Sequence, residues 1–284
     1  MGVLRDFLLN LIMGALNSFD SMVERAVEVL GGGLPSWSAV VAFAQATLRP
    51  FCLIIVGICL LIELAQVASK VDIIKWEHGL KICVKMVLAV VFIDLAPTFL
   101  EACYAQAAAW ITVGASFGGG SAFGALVGVE MTTLVGGVSG LWATIGLFLS
   151  VFVLILAIQI CGLVVAVIAF GRMFELYVYV AISPVPCAFF PLGDGSGGGF
   201  SRITAKFLRS FAAVCLQGVM MIICLRIFGM IMSNVISESV AASAGMDASV
   251  RVSELCYTML LGAIVLVMSV VKCGSWAKSI LDAV

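Results

Sequence analysis

The first thirty residues alternate between hydrophobic and polar positions at helical spacing. Apolar side chains recur from Leu4 to Leu30 in steps of three or four residues. The polar positions fall on the other side of the same helix: Asp6, Asn10, Asn17, Asp20, Glu24 and Glu28. This period predicts an amphipathic helix over residues 1–33. Such a helix beside a membrane either lies in the interface or packs on a partner subunit.

Residues 34–284 contain five longer apolar runs, predicted to cross a membrane at about 38–69, 80–113, 140–182, 203–232 and 256–271. A helical crossing needs about 20 apolar residues. Composition agrees, because 63% of the chain is hydrophobic and 11% is charged, against about 25% charged in soluble domains. The sequence therefore predicts an all-α polytopic integral membrane protein with an N-terminal amphipathic helix.

The run over 140–182 is long enough to be one helix or two spans, and the basic residues favour one. A single crossing places the lysines of 70–85, the basic residues of 202–209, and Lys272 and Lys278 on the same side. Basic residues collect on the cytoplasmic side of membrane proteins. The five-span arrangement thus predicts an outer N-terminus and a cytoplasmic C-terminus.

Pro184 and Pro186 interrupt an otherwise apolar segment. Proline lacks a backbone N–H and restricts the residue before it, so the third span should end near Ile182. Irregular backbone is tolerated at membrane depth only when it is buried in protein or lines a watery cavity. We therefore expect the proline-broken segment to be buried against neighbouring helices.

Ionisable residues inside the predicted spans are candidates for function. Counting outward from a turn near residues 74 and 75 places Arg49 level with Glu101, and Glu63 level with Lys85. This depth counting favours an ion pair between Arg49 and Glu101.

Asp94 and Arg226 are the other charges at membrane depth. Asp94 shares a helix face with Glu101 and has no level basic partner in the first hairpin. It is either protonated or hydrogen-bonded within the bundle, or it lines a pore or binds a cation. Arg226 could meet Asp94 or a lipid headgroup.

Two further patterns suggest contacts rather than chemistry. Gly120, Gly124 and Gly128 recur every four residues, which is typical of close helix packing, although a flexible loop is the alternative. Arg202, Lys206 and Arg209 share one side of the fourth span's start. They either anchor the chain to anionic lipid or form a docking site for a cytoplasmic ATPase or passing DNA.

No catalytic constellation is evident. The chain has no phosphate-binding glycine loop with a following lysine, and His78 is its only histidine. The ten cysteines lack metal-site spacing and are expected to be free thiols. We therefore expect no enzymatic activity, no cofactor and no catalytic metal.

One part of the sequence resembles a known family. "RMFELYVYVAISPVPCAFFPL" and the later "FSRITAKFLRSFAAVCLQGVMMII" are similar to TrbL-type polytopic inner-membrane subunits of conjugative type IV secretion systems, particularly the Gram-positive mobile-element forms. The resemblance implies a non-catalytic channel or scaffold subunit at the base of a translocation channel, in the cell membrane of a bacterium. It also implies a homo-oligomer that works with other secretion subunits, among them cytoplasmic ATPases, to move DNA or protein.

An alternative remains open on the residues themselves. A self-contained oligomeric channel for ions or small solutes would use the glycine triplet and Asp94 as its pore.

Overall fold

The computed structural model describes residues 2–32, 36–70, 76–116, 141–190, 202–242 and 247–281, and all regular structure in these ranges is helical. In chain order the elements are α1 (Gly2–Gly31), α2 (Trp37–Phe43), a π-helical turn (Ala44–Leu48), α3 (Arg49–Lys70), α4 (Trp76–Ser116), α5 (Leu141–Ile182), α6 (Pro184–Ala188), α7 (Arg202–Ala242) and α8 (Ala248–Ile280). The predicted all-α class is confirmed.

Five segments are long and apolar enough to cross a membrane, one for each predicted span: Trp37–Ala65, Gly79–Ser116, Ile145–Ala188, Arg202–Glu238 and Val250–Ile280. The chain is therefore a multi-pass membrane protein. The ambiguous third run is one continuous helix, α5, of 42 residues, about 63 Å at 1.5 Å per residue. The last two helices extend beyond the apolar cores by which they were predicted, since hydropathy marks the part suited to lipid rather than the helix end.

The described helices pack as two compact units. One comprises Met1–Gly32, Ala108–Gly171 and Gln217–Gly274 and is called the α1 unit. The other comprises Gly33–Ala107, Arg172–Leu216 and Ser275–Val284 and is called the hairpin unit, because it contains the α3–α4 pair.

In the α1 unit, the apolar face of α1 packs on other helices of the same chain. Its buried residues recur at helical spacing: Ile12, Ala15, Leu16, Phe19, Val23, Ala26 and Leu30. Gly162 of α5 allows this approach, because a Cβ there would lie 2.7 Å from Met22 Sδ and 3.3 Å from Phe19 Cδ2. The predicted amphipathic helix is present, but its apolar face is covered by its own chain rather than by the interface or a partner subunit.

In the hairpin unit, the first span contains an irregular turn close to Pro50. The backbone N–H of Arg49 donates to the carbonyl of Ala44, five residues back. This π-helical turn ends two residues before Pro50, which cannot donate a helical hydrogen bond. Two aromatic pairs also pack within this unit: the Trp37 and Tyr104 rings stack at 6.1 Å between centroids, and the Tyr179 and Phe207 centroids are 5.5 Å apart.

Candidate functional site

An ion pair between Arg49 and Asp94 joins α3 to α4 in the hairpin unit. Arg49 Nε lies 2.8 Å from Asp94 Oδ1, and Arg49 Nη2 donates to Asp94 Oδ2 at 2.9 Å. Two parallel bonds of this kind are the strongest geometry that a guanidinium and a carboxylate can form. Their side chains are 47% and 45% exposed. Both residues lie more than ten positions from either end of their candidate spans, so the pair lies at membrane depth.

The predicted pair between Arg49 and Glu101 is therefore wrong, as is the expectation that Asp94 has no basic partner in the hairpin. Asp94 and Glu101 lie seven residues apart on one helix face, so helical phase cannot choose between them. Depth counting chose Glu101 by assuming that both helices advance equally from the turn. Glu101 is exposed and forms no ion pair within the described ranges.

The other pair that depth counting placed at the same level, Glu63 and Lys85, is confirmed as a contact. Lys85 Nζ lies 2.9 Å from Glu63 Oε1, and the Glu63 side chain is 12% exposed. This pair is near the ends of both candidate spans, where Ala65 and Gly79 are the terminal residues. The same two helices thus carry one ion pair near the span ends and one far from them.

The proline-broken segment is buried, as predicted. Helix α5 ends at Ile182, and the following α6 packs on α3 and on the π-helical turn. Pro184 and Pro186 are buried. The hydroxyl of Thr204 in α7 donates to the carbonyl of Pro186 at 2.7 Å. A polar side chain from the next span therefore satisfies backbone at the break, as buried backbone requires.

Charged side chains at the other predicted positions are partly or fully exposed. Arg226 is half-buried in α7 and has no ion-pair partner in the parts of the chain that the structure describes. Arg202, Lys206 and Arg209 are all exposed at the start of α7. Gly120, Gly124 and Gly128 lie outside the described residues.

Sequence reasoning missed an aromatic cluster at the start of the first span. Trp37 is buried, and its indole Nε1–H has no acceptor among the described residues. It stacks on buried Tyr104, and the backbone N–H of neighbouring Ser36 donates to the Tyr177 hydroxyl at 3.3 Å. The only sequence signal was apolar spacing in α4, which marks Tyr104 as buried without naming its partner.

Taken together, the long apolar helices, the ion-paired hairpin and the proline-broken turn define a polytopic membrane protein. A family model described as "TrbL/VirB6 plasmid conjugal transfer like protein" matches residues 35–184. The chain belongs to this TrbL/VirB6 conjugal transfer-like family. The match covers α2 to α5 and reaches Pro184, so it includes Arg49, Asp94 and Glu101. No curated protein and no solved structure gives a significant match.

Proposed function

We propose that the chain is a channel or scaffold subunit of a conjugation-type (type IV) secretion apparatus, which oligomerises in the membrane to support DNA or protein translocation. Family membership supports the conjugal setting. The half-exposed Arg49–Asp94 pair at membrane depth carries the inference of a subunit. A charged pair facing hydrocarbon is unfavourable, so this face is expected to meet protein or water in the working assembly.

The proposed orientation has the N-terminus outside and the C-terminus in the cytoplasm. With five spans, the start of α4, the start of α7 and the end of α8 lie on one side. These ends carry Lys81, Lys85, Arg202, Lys206, Arg209 and Lys278. The positive-inside tendency assigns that side to the cytoplasm. A reporter fused after Gly199 should therefore be active only as a cytoplasmic fusion.

The proposed role is not catalytic, so energy for transfer comes from partner ATPases. The exposed basic face of Arg202, Lys206 and Arg209 is suited to docking an acidic surface of such an ATPase, and anionic lipid is the competing partner. Reversing all three charges to Glu should abolish transfer but leave membrane insertion intact if the face docks a partner. A loss of insertion would instead assign the face to lipid anchoring.

The decisive experiment measures transfer of the mobile element that encodes the chain. Deleting the gene should abolish transfer, and the wild-type chain supplied separately should restore it. Electron microscopy of the solubilised protein should then show closed rings. Transfer at the normal frequency without the chain would refute the proposal, and cation flux through rings of a chain that is dispensable for transfer would favour the self-contained ion channel.

A further inference from the structure

Two cysteine side chains face each other between α7 and α8 in the α1 unit. The sulfur atoms of Cys224 and Cys273 are 3.4 Å apart, which places the two thiols in direct contact. Among the residues that the structure describes, this is the one pair of thiols in such contact, and all ten cysteines are free. A disulfide bond measures about 2.05 Å, so the two sulfurs would have to approach by roughly 1.4 Å to form one.

The two helices approach each other closely on both sides of the cysteines. On α8, a Cβ added to Gly274, the residue after Cys273, would lie 2.6 Å from Gln217 Nε2 of α7. A Cβ added to Gly262 would lie 2.6 Å from Met232 Sδ, which also belongs to α7. Along each helix the cysteine lies between these two contacts. The pair is therefore held where α7 and α8 are packed together.

Helical spacing places both cysteines on the facing sides of α7 and α8. Cys224 follows Gln217 by seven residues, which is about two turns, and Cys273 follows Gly262 by eleven residues, which is about three turns. Each cysteine thus shares a helix face with a residue that contacts the other helix. A bond between the sulfurs requires a small shift of the side chains rather than a rotation of either helix.

The two thiols differ in burial, which gives them different roles. Cys224 is half-buried, whereas Cys273 has no exposed surface. A small reagent therefore meets Cys224 first, and Cys273 is positioned to react with the product. We propose that Cys224 and Cys273 form a redox-active dithiol, which a small-molecule disulfide converts into a covalent bond between α7 and α8. This inference goes beyond the proposed function and does not depend on it.

The reaction is thiol–disulfide exchange in two steps. The Cys224 thiolate attacks one sulfur of the small disulfide, whose S–S bond breaks and releases one thiol. The Cys273 thiolate then attacks Cys224 Sγ in the mixed disulfide and releases the second thiol. The two protons that leave the protein thiols end on the two released thiols. The chain is thus oxidised by two electrons, and the reagent is reduced by two.

The bond would close a long loop of the chain. About 48 residues lie between the two cysteines, and a cross-link restricts the unfolded chain more strongly as the closed loop lengthens. The oxidised chain should therefore unfold at a higher temperature than the reduced chain. Because exchange with excess thiol reverses the reaction, Cys224 and Cys273 would act as a reversible cross-link between α7 and α8.

The test exposes membranes that contain the full chain to oxidised glutathione. The protein is then denatured, its remaining thiols are alkylated, and the intact mass counts the alkyl groups. We expect two fewer groups than the ten of the untreated chain, and a return to ten after reduction. Peptide mapping should find one linkage, which joins Cys224 to Cys273. A chain that keeps ten free thiols, retains a glutathione adduct or links other cysteines would overturn the inference.

Single variants test the order of the two steps. Cys273→Ser should stop at a stable glutathione adduct on Cys224, because the second thiol is gone, and Cys224→Ser should form neither adduct nor disulfide. Cys161→Ser is the matched control, because the buried Cys161 thiol of α5 donates to the Ala263 carbonyl of α8 rather than facing another thiol. Oxidation should raise the unfolding temperature of this control and leave that of Cys224→Ser unchanged. An equal response from Cys161→Ser and Cys224→Ser would overturn the inference.

Discussion

The two units of the molecule differ in what holds them together. The α1 unit is closed largely by apolar packing around Phe19, and it also contains a hydrogen bond from Ser18 Oγ to Gln159 Oε1 at 3.4 Å. Its segments carry five basic and eight acidic residues. The hairpin unit is joined by two ion pairs and a side-chain bond to a proline carbonyl, with ten basic and eight acidic residues. The contrast teaches that apolar surface alone does not explain the fold of this membrane protein. Packing should dominate stability in one unit and polar contacts in the other.

The largest effect is expected from Phe19→Ala in the α1 unit. Truncating a buried phenylalanine removes contacts and leaves a cavity, which typically costs about 3–5 kcal/mol. Phe7→Ala is the control, because Phe7 is on the same helix but 54% exposed. The midpoint temperature of thermal unfolding of the solubilised protein should fall strongly with Phe19→Ala and little with Phe7→Ala. Equal shifts would show that α1 does not depend on its packed face.

The next effect is expected from Asp94→Asn in the hairpin unit. Removing the charge weakens two bonds to Arg49, and bonds to charged groups contribute about 1.5–3 kcal/mol. Glu101→Gln changes a carboxylate on the same face without an ion pair, so it should alter stability by about 0.5 kcal/mol or less. The charge-exchanged chain with Arg49→Asp and Asp94→Arg should recover part of the loss. A larger loss of stability from Glu101→Gln than from Asp94→Asn would instead favour the ion pair between Arg49 and Glu101 that depth counting predicts.

A smaller effect is expected from Gly162→Ala, where α1 approaches α5. The new Cβ would press on Met22, and overpacking costs about 1–3 kcal/mol. The flexible methionine can move, so we expect the lower half of that range. Gly146→Ala is the control on the same helix, because a Cβ there meets no atom within 4 Å. That change should be neutral or stabilising, and a matching loss at both glycines would point to a general helix effect.

The smallest effect is expected from Thr204→Val, which removes the hydroxyl bonded to Pro186. A buried hydrogen bond of this kind contributes about 0.5–1.5 kcal/mol. Thr112→Val is the control, because it removes an exposed hydroxyl that donates to the carbonyl of Ala109 in its own helix. The midpoint of chemical denaturation should therefore be lower for Thr204→Val than for Thr112→Val. Indistinguishable midpoints would mean that the proline break does not need the bond from α7.

Local features of the fold were predictable from the sequence, and long-range pairings were not. The end of α5 at Ile182 follows from the chemistry of proline itself. The Lys85–Glu63 contact follows from its closeness to the turn. Between the two ion pairs, however, α3 advances 14 residues, from 49 to 63, while α4 advances nine, from 85 to 94. Equal depth counting fails over that distance.

The position of α1 could not be predicted for a related reason. Its amphipathic period shows that one face must be covered, but the period is the same whether lipid, a partner or the chain itself covers it. The covering residues belong to α4, α5, α7 and α8, and Gly162 was the relevant signal. A single glycine in a long apolar helix indicates a close approach, but it does not indicate which helix packs there.

Phe19 also lines a small apolar cavity with Leu266 of α8, which has a consequence for the order of biosynthesis. About 247 residues separate the two, which corresponds to roughly 12–50 s of translation at about 5–20 residues per second. During that interval α1 has emerged while its neighbour α8 does not yet exist. The packing around α1 is therefore completed only after α8 has been made. Removing α8 should leave α1 exposed to proteases.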